Sequence, residues 1–316
     1  MSRRFVVGTR GSALARWQTD HVNQRLRESA VGEVPDVEVR VITTQGDVNL
    51  ADRLAGTLEK GFFTAELEAA LHAREIDWAV HSLKDLPTRM PAGLTLVAVL
   101  TRASPADLLV VAEAAFDAAA TRPDRLPLKA GAKVGTSSLR RDAMLKTFAP
   151  ECSSLPLRGN VPTRVDKLRA GKYDAIVLAE AGLSRLGLSL DGLHVVRLDP
   201  RAWQPAPGQG AVAVQARAGD DAVRALFAPI DHEETRAATA LERAFLRELE
   251  GGCTTPFGAF ADANRVHLGI VRPKGWVSLV AQVDGEHQIA DVLVELNGQQ
   301  EPRHDLTPNH PLWRAL

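Results

Sequence analysis

The sequence predicts a mixed α/β architecture, with two α/β domains joined by two crossovers and a small α+β domain after them. Three observations carry this prediction. Short apolar runs of strand length alternate with amphipathic helical stretches through the first two thirds of the chain. Proline-containing segments, Thr101 to Pro105 and Asp199 to Pro207, break that alternation twice and read as the crossovers. From Asp231 the pattern changes to one long amphipathic helix and a hairpin. At 316 residues the chain is long enough for two or three domains, each with its own core.

Taken in order, Phe5-Val6-Val7, Val37 to Ile42, Trp78-Ala79-Val80 and Leu94 to Leu100 read as strands of the first domain. Between them Leu14, Ala15, Val22 and Leu26 share one side of a helix. Phe63, Leu67, Ala70 and Leu71 follow the i, i+4, i+7, i+8 pattern of another. A second series contains Leu108 to Val111, Lys133-Val134-Gly135, Leu155 to Leu157, Ala175 to Leu178 and His194 to Leu198. Ala211 to Ala216 then returns as a strand to the first domain. The domain boundaries predicted are 1–100 with 206–228, then 105–200, then 231–316. Asp231 with Glu234 reads as a capping box. The helix it opens places Ala238, Leu241, Phe245 and Leu249 on one stripe and stops at Gly251-Gly252. Val266 to Val271 and Trp276 to Val283, joined by Arg272-Pro273-Lys274-Gly275, read as a β-hairpin.

Composition narrows the function. Lys+Arg 38 against Asp+Glu 39 leaves a net charge of -1, which argues against a nucleic-acid partner and against an acidic tail. Two cysteines are too few for a disulfide framework or a zinc finger, and the nine histidines show no H-E-x-x-H spacing, so no metal site is expected. Apolar runs are of core-strand length, and residues 1–10 lack a secretory apolar region, so a cytoplasmic protein without a membrane partner is expected. No coiled-coil pattern is visible, and a monomer is expected. Only eight of the 38 cations are lysines. The fixed planar fork of arginine suits bidentate binding of carboxylate or phosphate, although coding bias produces arginine as well.

Where those arginines stand is more informative. Val7-Gly8-Thr9-Arg10-Gly11-Ser12, Val134 to Arg141 and Leu157-Arg158-Gly159-Asn160-Val161-Pro162-Thr163-Arg164 each lead from a strand into a helix. Free N–H groups and the helix dipole favour an anion there, and guanidinium groups strengthen the preference. Plain N-capping by Ser12, Ser138 and Asn160 accounts for any one of them; three in one chain favour an anion cleft. His81-Ser82-Leu83-Lys84-Asp85-Leu86-Pro87 closes another strand. Asp85 there offers a carboxylate able to shuttle a proton or steady a developing cation, with a surface Lys/Asp pair as the plain alternative. His81 reads as a core histidine. Gly208-Gln209-Gly210 is a turn into a strand, and no phosphate-cradling glycine loop is present. Cys253 lies on a loop after a helix stop, where the dipole does not activate a thiol; that suits covalent anchoring better than nucleophilic attack. Cys152 reads as structural.

Together these segments resemble the hydroxymethylbilane synthase family, also called porphobilinogen deaminases. The matching stretches are Thr9 to Ala15, His81 to Pro87, Gly135 to Arg141, Arg158-Gly159-Asn160, Leu178 to Leu183, Pro207 to Ala211 and Gly251-Gly252-Cys253, in the family's order. The resemblance implies two α/β domains like those of periplasmic binding proteins, and a third domain, 231–316, that anchors a cofactor. It implies a transferase that joins four porphobilinogen molecules head to tail into hydroxymethylbilane, releasing ammonia at each step, in tetrapyrrole biosynthesis. Its partners would be porphobilinogen and the growing polypyrrole chain. The implied cofactor is a dipyrromethane in thioether linkage to Cys253. Asp85 matches the catalytic aspartate. Lys84, Ser82, Thr136, Ser137, Ser138, Arg140, Arg141 and Gly159 would bind the cofactor, and Arg10, Ser12, Lys60, Arg158, Arg164 and Gln209 the substrate. The sequence departs from the family around Gly56 to Ala65, where Leu58-Glu59-Lys60-Gly61 replaces a Gly-Gly-Lys-Gly loop, and at Pro162, Glu180 and Gln215. Two other readings stay open on residues alone: a hinged anion receptor, which would need neither Asp85 nor a loop cysteine, and a hydrolase using Cys253 with a histidine.

Overall fold

The computed structural model describes residues 4–30, 34–44, 64–119, 124–250, 256–263, 265–299 and 311–316. In chain order the first elements are β1 (Phe5–Thr9), α1 (Ala13–Ser29), β2 (Val37–Val41), α2 (Ala65–His72), β3 (Trp78–Ser82) and β4 (Leu94–Val99). There follow β5 (Asp107–Ala112), β6 (Lys133–Gly135), α3 (Leu139–Phe148), β7 (Ser153–Leu155), α4 (Val161–Arg169), β8 (Ala175–Ala179), α5 (Glu180–Leu186) and β9 (Leu193–Leu198). The remainder comprises β10 (Val212–Arg217), α6 (Asp221–Phe227), α7 (Glu233–Glu250), β11 (Phe257–Asp262), β12 (Arg265–Arg272), β13 (Gly275–Gln282), α8 (Ile289–Gly298) and β14 (Trp313–Ala315). The fold is mixed α/β. It divides into two compact units, residues 1–103 with 210–237, and residues 104–209 with 238–316.

Unit 1 is built on one five-stranded sheet in the order β2-β1-β3-β10-β4. β1 runs parallel to β2 and β3, while β10 runs antiparallel to both β3 and β4. The periodicity of α1 buries Val22 and Leu26 on one face of this sheet, with Val7, Trp78, Val80, Val214 and Phe227. Trp78 is fully buried and meets Phe227 edge-on at 5.0 Å between ring centroids. Area removed from water at that ring stabilises by about 3 kcal/mol, with the aromatic pair adding about 1 kcal/mol. On the other face Leu67 and Leu71 of α2 cover Ile76 and Ala79. Gly8 is where this layer comes closest to the backbone: a Cβ there would lie 2.4 Å from Ile76 Cδ1.

Unit 2 repeats the plan. Its six-stranded sheet runs β14-β9-β5-β8-β6-β7, with β6 parallel to β7 and β8, and β5 antiparallel to β8 and β9. Leaving out β14, the order β7-β6-β8-β5-β9 matches β2-β1-β3-β10-β4 strand for strand, antiparallel member included. Gly135 therefore takes the place of Gly8, and a Cβ on it would press on Tyr173 at 2.9 Å. The same unit contains the antiparallel β11-β12-β13 sheet, whose inner face packs with α7 and α8 through Phe245, Leu268, Val277, Leu293 and Leu296.

Three details differ from the sequence expectations. β7 lies at Ser153–Leu155 and not at 155–157, because Pro156 has no N–H to extend a ladder and Leu157 N–H donates to Ser137 Oγ instead. Asp231 and Glu234 do not form a capping box: the Asp231 carboxylate takes Val99 N–H at 2.8 Å and Arg236 Nε at 2.7 Å. His232 caps α7 in its stead, its Nδ1 accepting Thr235 N–H at 3.2 Å. α5, α6, β11, α8 and β14 come from segments to which the sequence reading gave no element. Among the described residues no helix is long and apolar enough to cross a membrane, and no cluster of histidine, cysteine or acidic residues could hold a metal.

Candidate active site

The residues singled out from the sequence fall on the two units as follows. In unit 1, Thr9 is buried at the end of β1 and its hydroxyl donates to Ala15 O at 3.2 Å, closing the turn into α1. Ser12 caps that helix, accepting Ala15 N–H at 3.3 Å, and Arg10 sits half-buried between them. At the end of β3 the pattern His-Ser-Leu-Lys-Asp-Leu makes a single 3-10 turn over Leu83–Asp85. Its logic is local. Leu83 and Leu86 are 1% and 4% exposed and pin the turn inward, Leu83 N–H donating to Ala211 O at 3.0 Å. Lys84 is thereby half-buried and Asp85 exposed. Asp85 has no hydrogen-bond or ion-pair partner among the described residues. Ser82 Oγ accepts from Gln18 Nε2 of α1 at 2.8 Å, which ties the turn to the first helix. His81 is buried behind the turn; burial pushes its imidazole down to about 4, the Arg10 charge acting in the same direction, so it is neutral at pH 7.

In unit 2, Thr136, Ser137 and Ser138 link β6 to α3. Ser138 Oγ caps the helix at Arg141 N–H, and Thr136 Oγ1 accepts Ser138 N–H at 3.2 Å. Ser137 is the hinge-pin of the site. Its hydroxyl donates to Leu157 O at 2.9 Å and accepts Leu157 N–H at 3.0 Å, so two of the strand-to-helix motifs are joined by one side chain. Arg158, Gly159 and Arg164 follow immediately. Gly159 has φ +112, and a Cβ there would lie 2.8 Å from Thr163 Cγ2, so this turn requires glycine. Arg164 Nε donates to Gly159 O at 2.8 Å, and Lys167 Nζ to Arg158 O at 2.8 Å. Asn160 caps α4 by accepting Thr163 N–H at 3.0 Å.

Arg140 and Arg141, expected to meet cofactor carboxylates, also have a partner within the chain. They are 6% and 7% exposed, and the Asp107 carboxylate accepts from both. Asp107 Oδ2 accepts from Arg140 Nη2 at 2.9 Å, Arg141 Nε at 3.1 Å and Trp203 Nε1 at 3.0 Å. Its Oδ1 accepts from Arg141 Nη2 at 2.6 Å and Gln209 Nε2 at 2.8 Å. Gln209, expected to touch substrate, is fully buried and also donates to Pro105 O at 2.7 Å. Burial raises the Asp107 carboxyl, but Arg141 and Arg140 outweigh it and hold it well below the usual carboxylate range. Asp107, Trp203 and Gln204 were not visible as site residues in the sequence; no local spacing connects them to Arg140. Cys152 is half-buried and burial pushes its thiol up, which fits its structural reading. Lys60 and Cys253 lie outside the described residues, as does most of the departed loop from Gly56 to Ala65.

Two family models together match most of the chain: porphobilinogen deaminase, dipyromethane cofactor binding domain, over residues 5–225, and porphobilinogen deaminase, C-terminal domain, over residues 236–300. The porphobilinogen deaminase of Chromobacterium violaceum is 44% identical over 297 residues, covering 92% of this chain and 91% of that one. That of Stenotrophomonas maltophilia is 49% identical over 257 residues, covering 81% and 80%. The chain belongs to the porphobilinogen deaminase family. It is therefore a transferase of tetrapyrrole biosynthesis that condenses four porphobilinogen molecules into hydroxymethylbilane, with loss of ammonia, on a dipyrromethane cofactor. Among solved structures a Bordetella pertussis BvgS VFT2 domain aligns at 15% identity and a TM-score of 0.42, covering 74% of this chain and 91% of that one.

The donor set fits the cofactor. Two pyrroles, each with an acetate and a propionate, present four carboxylates. Arg10 and Lys84 in unit 1, and Arg158 and Arg164 with three hydroxyls and a helix N-terminus in unit 2, are of the matching sign and hydrogen-bonding type. The one carboxylate exposed in these turns is that of Asp85.

Proposed function

We propose that Asp85 is the acid–base group of the condensation, that Cys253 is the thioether anchor of the dipyrromethane, and that residues 231–316 form the anchoring domain. When bound, the dipyrromethane supplies the pyrrole α-carbon onto which the first porphobilinogen couples. Asp85 donates a proton to the departing amine of porphobilinogen as its C–N bond breaks. The cation left on the substrate's pyrrole and methylene carbon is steadied by the same side chain, now a carboxylate. After the new carbon–carbon bond forms, the proton displaced from the coupling carbon returns to Asp85, so each cycle leaves the residue as it began. What supports this role is the turn over Leu83–Asp85, which buries both flanking leucines and leaves Asp85 exposed beside Lys84.

Carboxylate binding is divided. Arg10, Ser12, Ser82 and Lys84 serve it in unit 1, and Lys60 is added to them. Thr136, Ser137, Ser138, Arg158, Gly159 and Arg164 serve it in unit 2. Arg140, Arg141 and Gln209 act one step back, holding the α3 N-terminus through Asp107. The same reading makes the enzyme a cytoplasmic monomer.

Intact-mass measurement of the purified protein tests the anchor. An adduct of dipyrromethane size is expected in the wild type and absent in Cys253→Ser; an unmodified, active protein would sink the assignment. Asp85→Ala is expected to keep the adduct and lose turnover, and near-normal rates in it would remove Asp85 from the mechanism.

A further inference from the structure

Every backbone carbonyl of residues 156–160, the turn that leads into α4, has a donor. Pro156 O accepts from Tyr173 Oη at 2.6 Å, Leu157 O from Ser137 Oγ at 2.9 Å, Arg158 O from Lys167 Nζ at 2.8 Å and Gly159 O from Arg164 Nε at 2.8 Å. Asn160 O takes Arg164 N–H at 3.1 Å, the first bond of α4. Four consecutive carbonyls are thus held by side chains from elsewhere in unit 2. A turn binds an anion through its N–H groups, and it does so only while its oxygens point elsewhere. The first turn of α4 adds little to that. Pro162 has no N–H, and Asn160 Oδ1 takes Thr163 N–H at 3.0 Å.

Lys167 is the donor whose placement helix stability does not explain. It stands in the last turn of α4, where a cation is favoured beside the C-terminal carbonyls. Its half-buried side chain runs the other way, to a carbonyl two residues before the Asn160 cap, beside the end of the dipole that disfavours a cation. The peptide it holds is also one that could turn over. A trans peptide directs its C=O and N–H oppositely, so with Arg158 O on Lys167 the Gly159 N–H points away from that lysine. Turning the plane over would take the Gly159 φ from +112 to about −70, which glycine adopts as readily. The oxygen would then stand where the N–H now does.

We propose that Lys167 is a positioning residue for carboxylate binding, holding the Arg158–Gly159 peptide with its N–H turned toward the substrate's carboxylates and its oxygen away from them. The inference rests on the reading of Arg158 and Gly159 as carboxylate-binding residues.

Steady-state kinetics of the full-length, cofactor-loaded enzyme test it. Lys167→Met keeps the length of the side chain and removes the donor. Its KM for porphobilinogen is expected to rise roughly tenfold or more, with kcat changed far less. An unchanged KM with a lowered thermal midpoint would make Lys167 structural only and overturn the proposal. Lys167→Arg keeps a charged donor and is expected to hold KM near the wild-type value; a rise as large as in Lys167→Met would overturn it as well. A cation that only attracts substrate from a distance has another signature. The difference between Lys167→Met and wild type would then vanish at about 1 M salt, where the Debye length is about 3 Å, and that result also counts against the proposal; a positioned peptide keeps the difference. Should Lys167→Met not fold, Lys167→Gln, a good helix former without the charge, replaces it under the same outcomes. Arg158→Leu separates the two levels. An unchanged KM there sinks the reading of this turn as a carboxylate site, and this inference with it. A raised KM there with an unchanged one in Lys167→Met sinks this inference alone.

Discussion

Asp107→Asn keeps the shape of a buried side chain and removes its charge. In the wild type the carboxylate is 0% exposed and accepts five hydrogen bonds from four residues: Arg140, Arg141 twice, Trp203 and Gln209. The amide of the variant brings two hydrogens into a ring of donors, so its nitrogen has no acceptor, and two nearly buried guanidiniums lose their counter-charge. Breaking a buried ion pair from one side costs about 3–5 kcal/mol, and here two cations share the loss, which places the expected value in the upper half, about 4–5 kcal/mol. Urea unfolding at pH 7 followed by tryptophan fluorescence reads it, since the indole of Trp203 donates directly to Asp107. Cofactor loading measured alongside separates two accounts of the arginines. If Arg140 and Arg141 served the cofactor directly, removing the competing carboxylate would leave stability near wild type and speed loading. A loss under about 1 kcal/mol with faster loading would therefore refute the structural role assigned here.

Three further outcomes are expected. The His81 imidazole, at about 4 when folded and 6.5 otherwise, takes up its proton first in the unfolded chain. Its contribution is complete above pH 6.5 and is lost as pH falls toward 4, by up to about 3 kcal/mol; urea midpoints at pH 7.5 and 4.5 should fall less in His81→Asn than in wild type, and an equal fall would show that His81 is not the group responsible. Gly159→Ala forces a Cβ to 2.8 Å from Thr163 Cγ2 at φ +112, which should cost about 1–3 kcal/mol and raise KM for porphobilinogen by displacing Arg158 and Arg164; unchanged thermal midpoint and KM would contradict this. Ser137→Ala removes both bonds to Leu157 and should cost about 1–2 kcal/mol with a rise in KM, read by the same two measurements, and wild-type values of both would dismiss its joining role.

What the sequence made legible is what a few consecutive residues decide. Ser12, Ser138 and Asn160 were identifiable as caps because a cap bonds an amide three positions away. The strand end before Asp85 was legible, but the turn that buries Leu83 and Leu86 and leaves Asp85 exposed was not. Asp107 was not, since Arg140 is 33 and Gln209 102 positions distant along the chain, and in sequence it looks like the polar start of a strand. Asp231 misled for the same reason: its cap-like spacing to Glu234 was outcompeted by Val99 N–H, 132 positions away. Arg140 and Arg141 had the right charge for an anion site, and nothing in their local sequence showed that Asp107 of the same chain meets them as well.

The place of β10 in unit 1 bears on how the protein is made. Among the described residues β4 joins its sheet only through β10, and β10 leaves the ribosome after every strand from β5 to β9 has been synthesised. At 5–20 residues per second the gap between residues 99 and 212 is on the order of ten seconds. During that interval β3 has a bare edge and β4 has no partner, the condition in which strands pair with other chains. A nascent chain that stalls anywhere before residue 217 thus forfeits the older unit as well as the younger one, and chaperone dependence should concentrate in the first hundred residues although they are the first to appear.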